Sequence, residues 1–175
     1  MTKNLRNFLI FVLTIALLVV VLKVINWVPT AVEEGLMRKY NSIEDVRSKL
    51  KIRDILVPSY FPQSFSWPPS VILAQTKPFH AIVMEFKHIE SGDTAIITSQ
   101  TASQDFIMDN KIRITQVREK LPYSLKDRKA VLVVGTCIKD EKCAQISWDE
   151  GKYKMNIIMK STPFDLIKIA ESMVR

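Results

Sequence analysis

The chain has few of the residues that most often carry catalysis. Among 175 residues there are two histidines, two cysteines and four glycines. Gly35, Gly92, Gly135 and Gly151 lie far apart, so they cannot build a glycine-rich loop around a phosphate. No Gly-x-Ser-x-Gly occurs to raise a serine nucleophile on a strained turn. Cys-x-x-Cys and its haem-binding extension are also missing. His80 and His88 would share one face of a strand, yet eight residues at ~3.3 Å each separate them by ~26 Å, too far to share a metal ion. Asp149 and Glu150 are adjacent, but Gly151 follows, and the trio is a solvated turn signal rather than a general acid/base pair. These absences lead us to expect a non-catalytic protein with no cofactor and no metal site. A hydrolase or redox enzyme assembled from scattered residues is the remaining enzymatic alternative.

Charge of one sign is not concentrated either. The net charge is +7, with basic residues interspersed among acids, which argues against a nucleic-acid partner. Lys3, Arg6 and Lys23 supply three of those charges, and no acid precedes Glu33. The rest of the chain therefore carries +4, which suits a surface facing anionic lipid head groups or an acidic partner.

Long apolar runs are absent with one exception. Phe8 to Val28 holds a single charge, Lys23, and neither Gly nor Pro. At 1.5 Å per residue, roughly 20 helical residues span the ~30 Å hydrocarbon core of a bilayer. Lys3 and Arg6 precede the tract and Glu33 and Glu34 follow it, which predicts a cytoplasmic N-terminus and an extracytoplasmic C-terminal domain. Trp27 stands where an interfacial aromatic belongs, and Lys23 can snorkel to the head groups. A cleaved signal peptide is the competing reading. Its apolar core is only ~7–15 residues and ends in a small-x-small site, which this sequence lacks. The expected organisation is a short cytoplasmic N-terminus and anchor over residues 1–28, a stalk over 29–41 and an extracytoplasmic domain over 42–175. The protein would thus be a single-pass cell-membrane protein. The tract has no Gly-x-x-x-Gly, so a larger membrane partner is expected rather than tight self-pairing.

Cys137 and Cys143 flank Ile-Lys-Asp-Glu-Lys, a charged run suited to a hairpin tip. Outside the cytoplasm a disulfide is permitted, and paired strands would bring the two Cβ atoms within bridging distance. Two free thiols are the alternative. Zinc would need two more ligands.

The remaining elements follow from pattern. Ser42 with Asp45 three residues on forms a capping box for a helix to about Leu50, with Ile43, Val46 and Leu50 on one face. Val57 to Pro62 and Ser66 to Pro69 are rich in proline and aromatics, so an extended segment crosses the domain surface. Tyr60, Phe61, Phe65, Trp67, Pro68 and Pro69 are its anchors. They either cap one end of the core or present a docking surface. Strands are expected over 71–75, 79–88, 94–98, 112–117, 129–138, 143–148 and 152–159, with a loop over 100–110. The last three should form an antiparallel meander. Thr162, Pro163 and Asp165 open a final helix, with Phe164, Ile167, Ala170, Met173 and Val174 as its apolar stripe. The fold class is α+β: a transmembrane helix, then an antiparallel meander closed by a C-terminal helix.

Ile146-Ser-Trp148, Asp149-Glu-Gly151, Tyr153 and Asp165 through Ser172, with Tyr60-Phe-Pro62 upstream, resemble an uncharacterised extracytoplasmic domain family. That family follows membrane anchors in sporulation and anti-sigma-factor-like bacterial proteins. The resemblance covers residues 58–175 and implies a binding or sensory module. Two functions are therefore expected in order. The first is an accessory or structural subunit of a membrane complex, touching membrane lipid and partner subunits. The second is an extracytoplasmic ligand-binding or sensory module.

Overall fold

A computed structural model describes residues 12–23, 37–104, 106 and 111–174. The chain divides into two compact units, Met1–Met37 and Arg38–Arg175. In the first, residues 12–23 are helical, and their apolar side chains from Val12 to Leu22 are exposed around the helix. The ends of the Phe8–Val28 tract lie outside the described residues. Among the described residues no helix is long and apolar enough to cross a membrane.

The second unit is built on one eight-stranded antiparallel sheet. Its strands are β1 (Arg38–Tyr40), β2 (Val71–Gln75), β3 (Ala81–Lys87), β4 (Thr94–Thr101), β5 (Ile114–Leu125), β6 (Arg128–Cys137), β7 (Lys142–Glu150) and β8 (Tyr153–Met159). The spatial order is β1-β2-β3-β4-β8-β7-β6-β5. Two four-stranded meanders, β1–β4 and β5–β8, thus join along their last strands. β4 and β8 meet in the middle with Ile97 opposite Ile158 and Thr98 opposite Ile157. Both flanking faces of a central strand are covered, so central strands need apolar residues at consecutive positions. Ala81 to Met84, Phe86 and Ile157 to Met159 meet that need, and all are buried.

Helix α1 (Ile43–Leu50) and helix α2 (Pro163–Met173) belong to this unit. Ser42 caps α1: its Oγ accepts from the Asp45 amide at 3.0 Å, as the capping box predicts. Ile43 and Val46 are buried beneath it. α2 differs from its expected stripe. Leu166, Ile169, Ala170 and Met173 are the buried positions, an i, i+3, i+4, i+7 set, while Phe164 is 75% exposed. Proline at N1 leaves Phe164 on the first turn, ahead of the sheet that the later turns cover. Each fully buried aliphatic side chain here contributes about 1.5–3 kcal/mol.

The opposite sheet face is partly covered by the connection from β4 to β5. There Lys111 Nζ lies 2.7 Å from Glu85 Oε2, and Ile112 is buried. Glu85 is itself 8% exposed at the side chain, so the pair leaves no uncompensated charge inside.

Three strands differ from expectation. β4 continues to Thr101, into the stretch 100–110 expected as a loop, because Ser99 to Thr101 pair with β8. β1 falls within the segment read as a stalk and pairs with β2, Lys39 opposite Leu73. β5 is twelve residues long instead of six, and almost all of it is exposed. It is the edge of the sheet. Its run Arg118-Glu-Lys-Leu-Pro-Tyr123 is charged and interrupted by Pro122, both of which an edge strand tolerates and which discourage further pairing. The β5–β6 loop is Lys126-Asp127, with Lys126 at φ 53, the left-handed region that tight hairpin loops require. Beside it Arg128 forks onto Glu150 at 3.1 and 3.3 Å and contacts Asp127. Those acceptors, Glu150 foremost, raise the guanidinium pKa above its ordinary value, so it stays charged.

Cys137 and Cys143 form the expected disulfide, with Cα atoms 5.7 Å apart. It closes the 3-10 turn Ile138–Asp140 between β6 and β7. On the loop-entropy account, closing so short a loop stabilises by about 2 kcal/mol. Reduction, or the Cys137→Ser/Cys143→Ser variant, should therefore lower the thermal midpoint by roughly 5–8 °C without altering the far-UV circular dichroism. An unchanged midpoint would remove the bridge from the stability account.

Candidate docking surface

The proline-rich segment between α1 and β2 builds this surface. After α1 the chain reverses at Lys51 (φ 55) and drives Ile52, Ile55 and Leu56 into the core. Gln100 on β4 fixes it there. Its Oε1 accepts from the Leu56 amide at 2.9 Å, and its Nε2 donates to the Asp54 carbonyl. A buried amide serving both a donor and an acceptor of a crossing loop satisfies groups that would otherwise be orphaned. Ser59 Oγ then donates to the Ser172 carbonyl at the end of α2, at 3.2 Å.

The following residues run beside β3. The Ser66 amide donates to the Lys87 carbonyl at 2.8 Å, the Ser70 amide to the Glu85 carbonyl at 2.8 Å, and Phe65 bridges to His88. This is the line that β2 continues. Pro68 and Pro69 interrupt it, having no amide hydrogen to give, and the Trp67–Pro68 peptide is cis.

The aromatic side chains meet over Phe86 of β3. Phe86 is fully buried and supplies the floor. Phe61 sits 4.7 Å from it, centroid to centroid, and Trp67 stacks on it at 5.9 Å with planes 17° apart. Phe61 also lies edge-on to Phe65 at 6.1 Å and to Trp67 at 5.8 Å. Phe65 in turn meets the His88 ring at 5.5 Å and 90°. Such pairs add about 0.5–1.5 kcal/mol each beyond burial, so the cluster is stiff.

The six sequence-chosen residues therefore divide. Phe65 is buried and Phe61 is packed against the core, so both cap it. Trp67 is 51% exposed, Pro68 is exposed, Pro69 is half-buried and Tyr60 is 38% exposed. Trp67 lies on the platform formed by Phe61 and Phe86, and Pro68 and Pro69 follow it in the chain. Tyr60 lies under Lys168 of α2, 5.9 Å from ammonium nitrogen to ring centroid. One turn earlier on the same helix stands Phe164, which sequence analysis assigned to the core. Its place on the first turn, immediately after Pro163, was the available signal. Phe86 was legible only as a strand residue.

Charged recesses lie elsewhere on the domain. Two, of about 310 and 470 Å³, share Asp93, Glu141 and Lys160 at the end of the sheet by the disulfide. Lys160 and Glu141 pair at 2.9 Å. Among the described residues no group of three or more His, Cys, Asp or Glu side chains is placed to hold a metal ion. His80 and His88 stand at opposite ends of β3, where the carbonyl of His80 accepts from Ala102 and the amide of His88 donates to Asp93.

No protein-family model, no characterised protein and no solved structure matches the chain.

Proposed function

We propose that the protein is a non-catalytic, single-pass, membrane-anchored accessory subunit whose extracytoplasmic domain docks a partner protein through Trp67, Pro68 and Tyr60. The observation that carries this reading is Trp67. A large ring half-open to solvent, stacked on a buried phenylalanine and followed by two prolines, loses little freedom on binding, and that is the property of an interface anchor. The anchor half of the proposal rests on the Phe8–Val28 tract and on its described part, a helix with apolar side chains on every side. A helix apolar all round needs lipid or protein on every face.

The sensory alternative for an apolar ligand is less well supported. The recesses at the end of the sheet are lined by charged groups, where an apolar ligand wants apolar walls.

The test is the Trp67→Ala variant. Its ring is half-exposed, so the domain should keep its fold with a stability loss of about 1 kcal/mol. A central aromatic anchor is worth about 2 kcal/mol or more to an interface, so recovery of co-purifying subunits should fall roughly 30-fold. Undiminished recovery would move the docking surface elsewhere.

A further inference from the structure

The folded domain opens with a stretch rich in cations. Between Arg38 and Asp54 there are six basic residues (Arg38, Lys39, Arg47, Lys49, Lys51 and Arg53) against Glu44, Asp45 and Asp54. Both helix carboxylates are engaged within α1: Asp45 lies 3.3 Å from Lys49, and Glu44 lies 3.8 Å from Arg47. The side chains of Arg38, Lys39, Lys51 and Arg53 are exposed and make no hydrogen bond or ion pair among the described residues. An ordinary mixed surface pairs or alternates its charges. This one leaves four positive groups in sixteen residues without a partner among the described residues.

The structure also gathers part of the cluster around one depression. Arg38 and Lys39 of β1, Asn41, and Lys49 of α1 line a recess of about 270 Å³ together with Tyr40 and Asp45. Three cations face a single carboxylate already held by Lys49, and Tyr40 and Asn41 are neutral side chains able to donate hydrogen bonds. That combination fits a phosphate oxyanion: flexible ammonium groups for charge, a guanidinium for bidentate contact and neutral donors for the remaining oxygens.

We propose that this face, from β1 across α1 to Arg53, binds the phosphate head groups of anionic phospholipids. The proposal rests on the membrane-anchor reading above. It favours lipid over soluble phosphate because Arg38 follows the last residue of the apolar tract by only ten positions, and because Lys51 and Arg53, exposed and outside the recess lining, add positive charge within four residues of Lys49 along the chain. Docking here would orient the domain, and with it Trp67, relative to a membrane partner.

The full chain, loaded into nanodiscs of neutral phosphatidylcholine or of the same lipid with about one third phosphatidylglycerol, provides the test. The readout is amine acetylation at Lys39, Lys49 and Lys51, with Lys120 on the far edge strand β5 and Lys129 on its neighbour β6 as internal controls. Acetylation of the first three should fall roughly threefold or more in anionic discs and recover at about 0.5 M salt, while the controls stay constant. In an Arg38→Gln/Lys39→Gln/Arg53→Gln variant, Lys49 and Lys51 should lose that lipid dependence. Equal acetylation in correctly loaded discs of both kinds would overturn the proposal and leave the anchor standing. Equal protection by inorganic phosphate in neutral discs would overturn the lipid assignment. A chain that enters neither kind of disc would overturn the anchor, and this proposal with it.

Discussion

Replacing Phe86 by alanine should cost the domain about 3–5 kcal/mol, the largest loss expected from any single truncation around the aromatic cluster. Phe86 is fully buried in β3, opposite Ile96 of β4, and it carries both Phe61 and Trp67 on its ring. Removing it opens a cavity beneath the proline-rich segment and takes away the platform on which Trp67 lies. Chemical denaturation followed by tryptophan fluorescence would report both effects, since Trp67 is one of only three tryptophans. Phe86→Leu separates them. It restores most of the volume, so stability should return to within about 1.5 kcal/mol of the wild type, while the stack under Trp67 stays lost. If Phe86→Ala cost less than about 1 kcal/mol, the cluster would not be the rigid support described here.

Gly135→Ala should cost about 2–3 kcal/mol, although it adds a single methyl group to a strand. An ideal Cβ at Gly135 falls 2.2 Å from the Gln116 carbonyl oxygen and 2.8 Å from Ile114 Cγ2. The nearer atom is backbone, so no side-chain rotation relieves the clash. The cause is the irregular register of β5 against β6, which shifts between Ile114 and Gln116 and again between Val117 and Glu119. There the edge strand leans onto β6, and only glycine gives it room. The loss should appear in equilibrium unfolding and in faster amide exchange across β5 and the start of β7. A neutral outcome would mean that the edge strand can slide away at no cost.

These two positions mark what the sequence revealed and what it concealed. β2 lies at its expected residues, 71–75, because Val71 is preceded by Pro-Pro-Ser and Gln75 is followed by Thr-Lys-Pro, clear boundaries on both sides. The β6–β7–β8 meander was legible from Val131–Val134, the Asp-Glu-Gly turn and the alternation after Tyr153. α1 was announced by its capping box. The disulfide followed from two cysteines flanking a charged tip. β5 was cut short because Pro122 and its flanking charges suggest a loop. Only its place at the edge of the sheet makes them acceptable in a strand. β1 was too short to carry a period, and its three residues become a strand only because β2 stands beside them. Ala170, Met173 and Val174 of the expected α2 stripe are buried, while Leu166 and Ile169 take the places given to Phe164 and Ile167, since all four are apolar and only packing chooses between them. The candidate site was half legible. Tyr60, Trp67, Pro68 and Pro69 were chosen for their residue types and are the ones turned outward. Phe61 and Phe65 were chosen on the same grounds and serve as support. Exposure is a tertiary property, and it separated them.

The central claim, that an anchored domain serves as a docking subunit, is tested most directly by the mass of the particle it forms. The full chain should be extracted from its own membrane in a mild detergent and weighed by native mass spectrometry, wild type beside Trp67→Ala. The account predicts a wild-type particle heavier than the 20.1 kDa chain, containing at least one further membrane protein in fixed ratio, and a variant recovered mainly alone. A wild-type chain that runs as a clean monomer would contradict it.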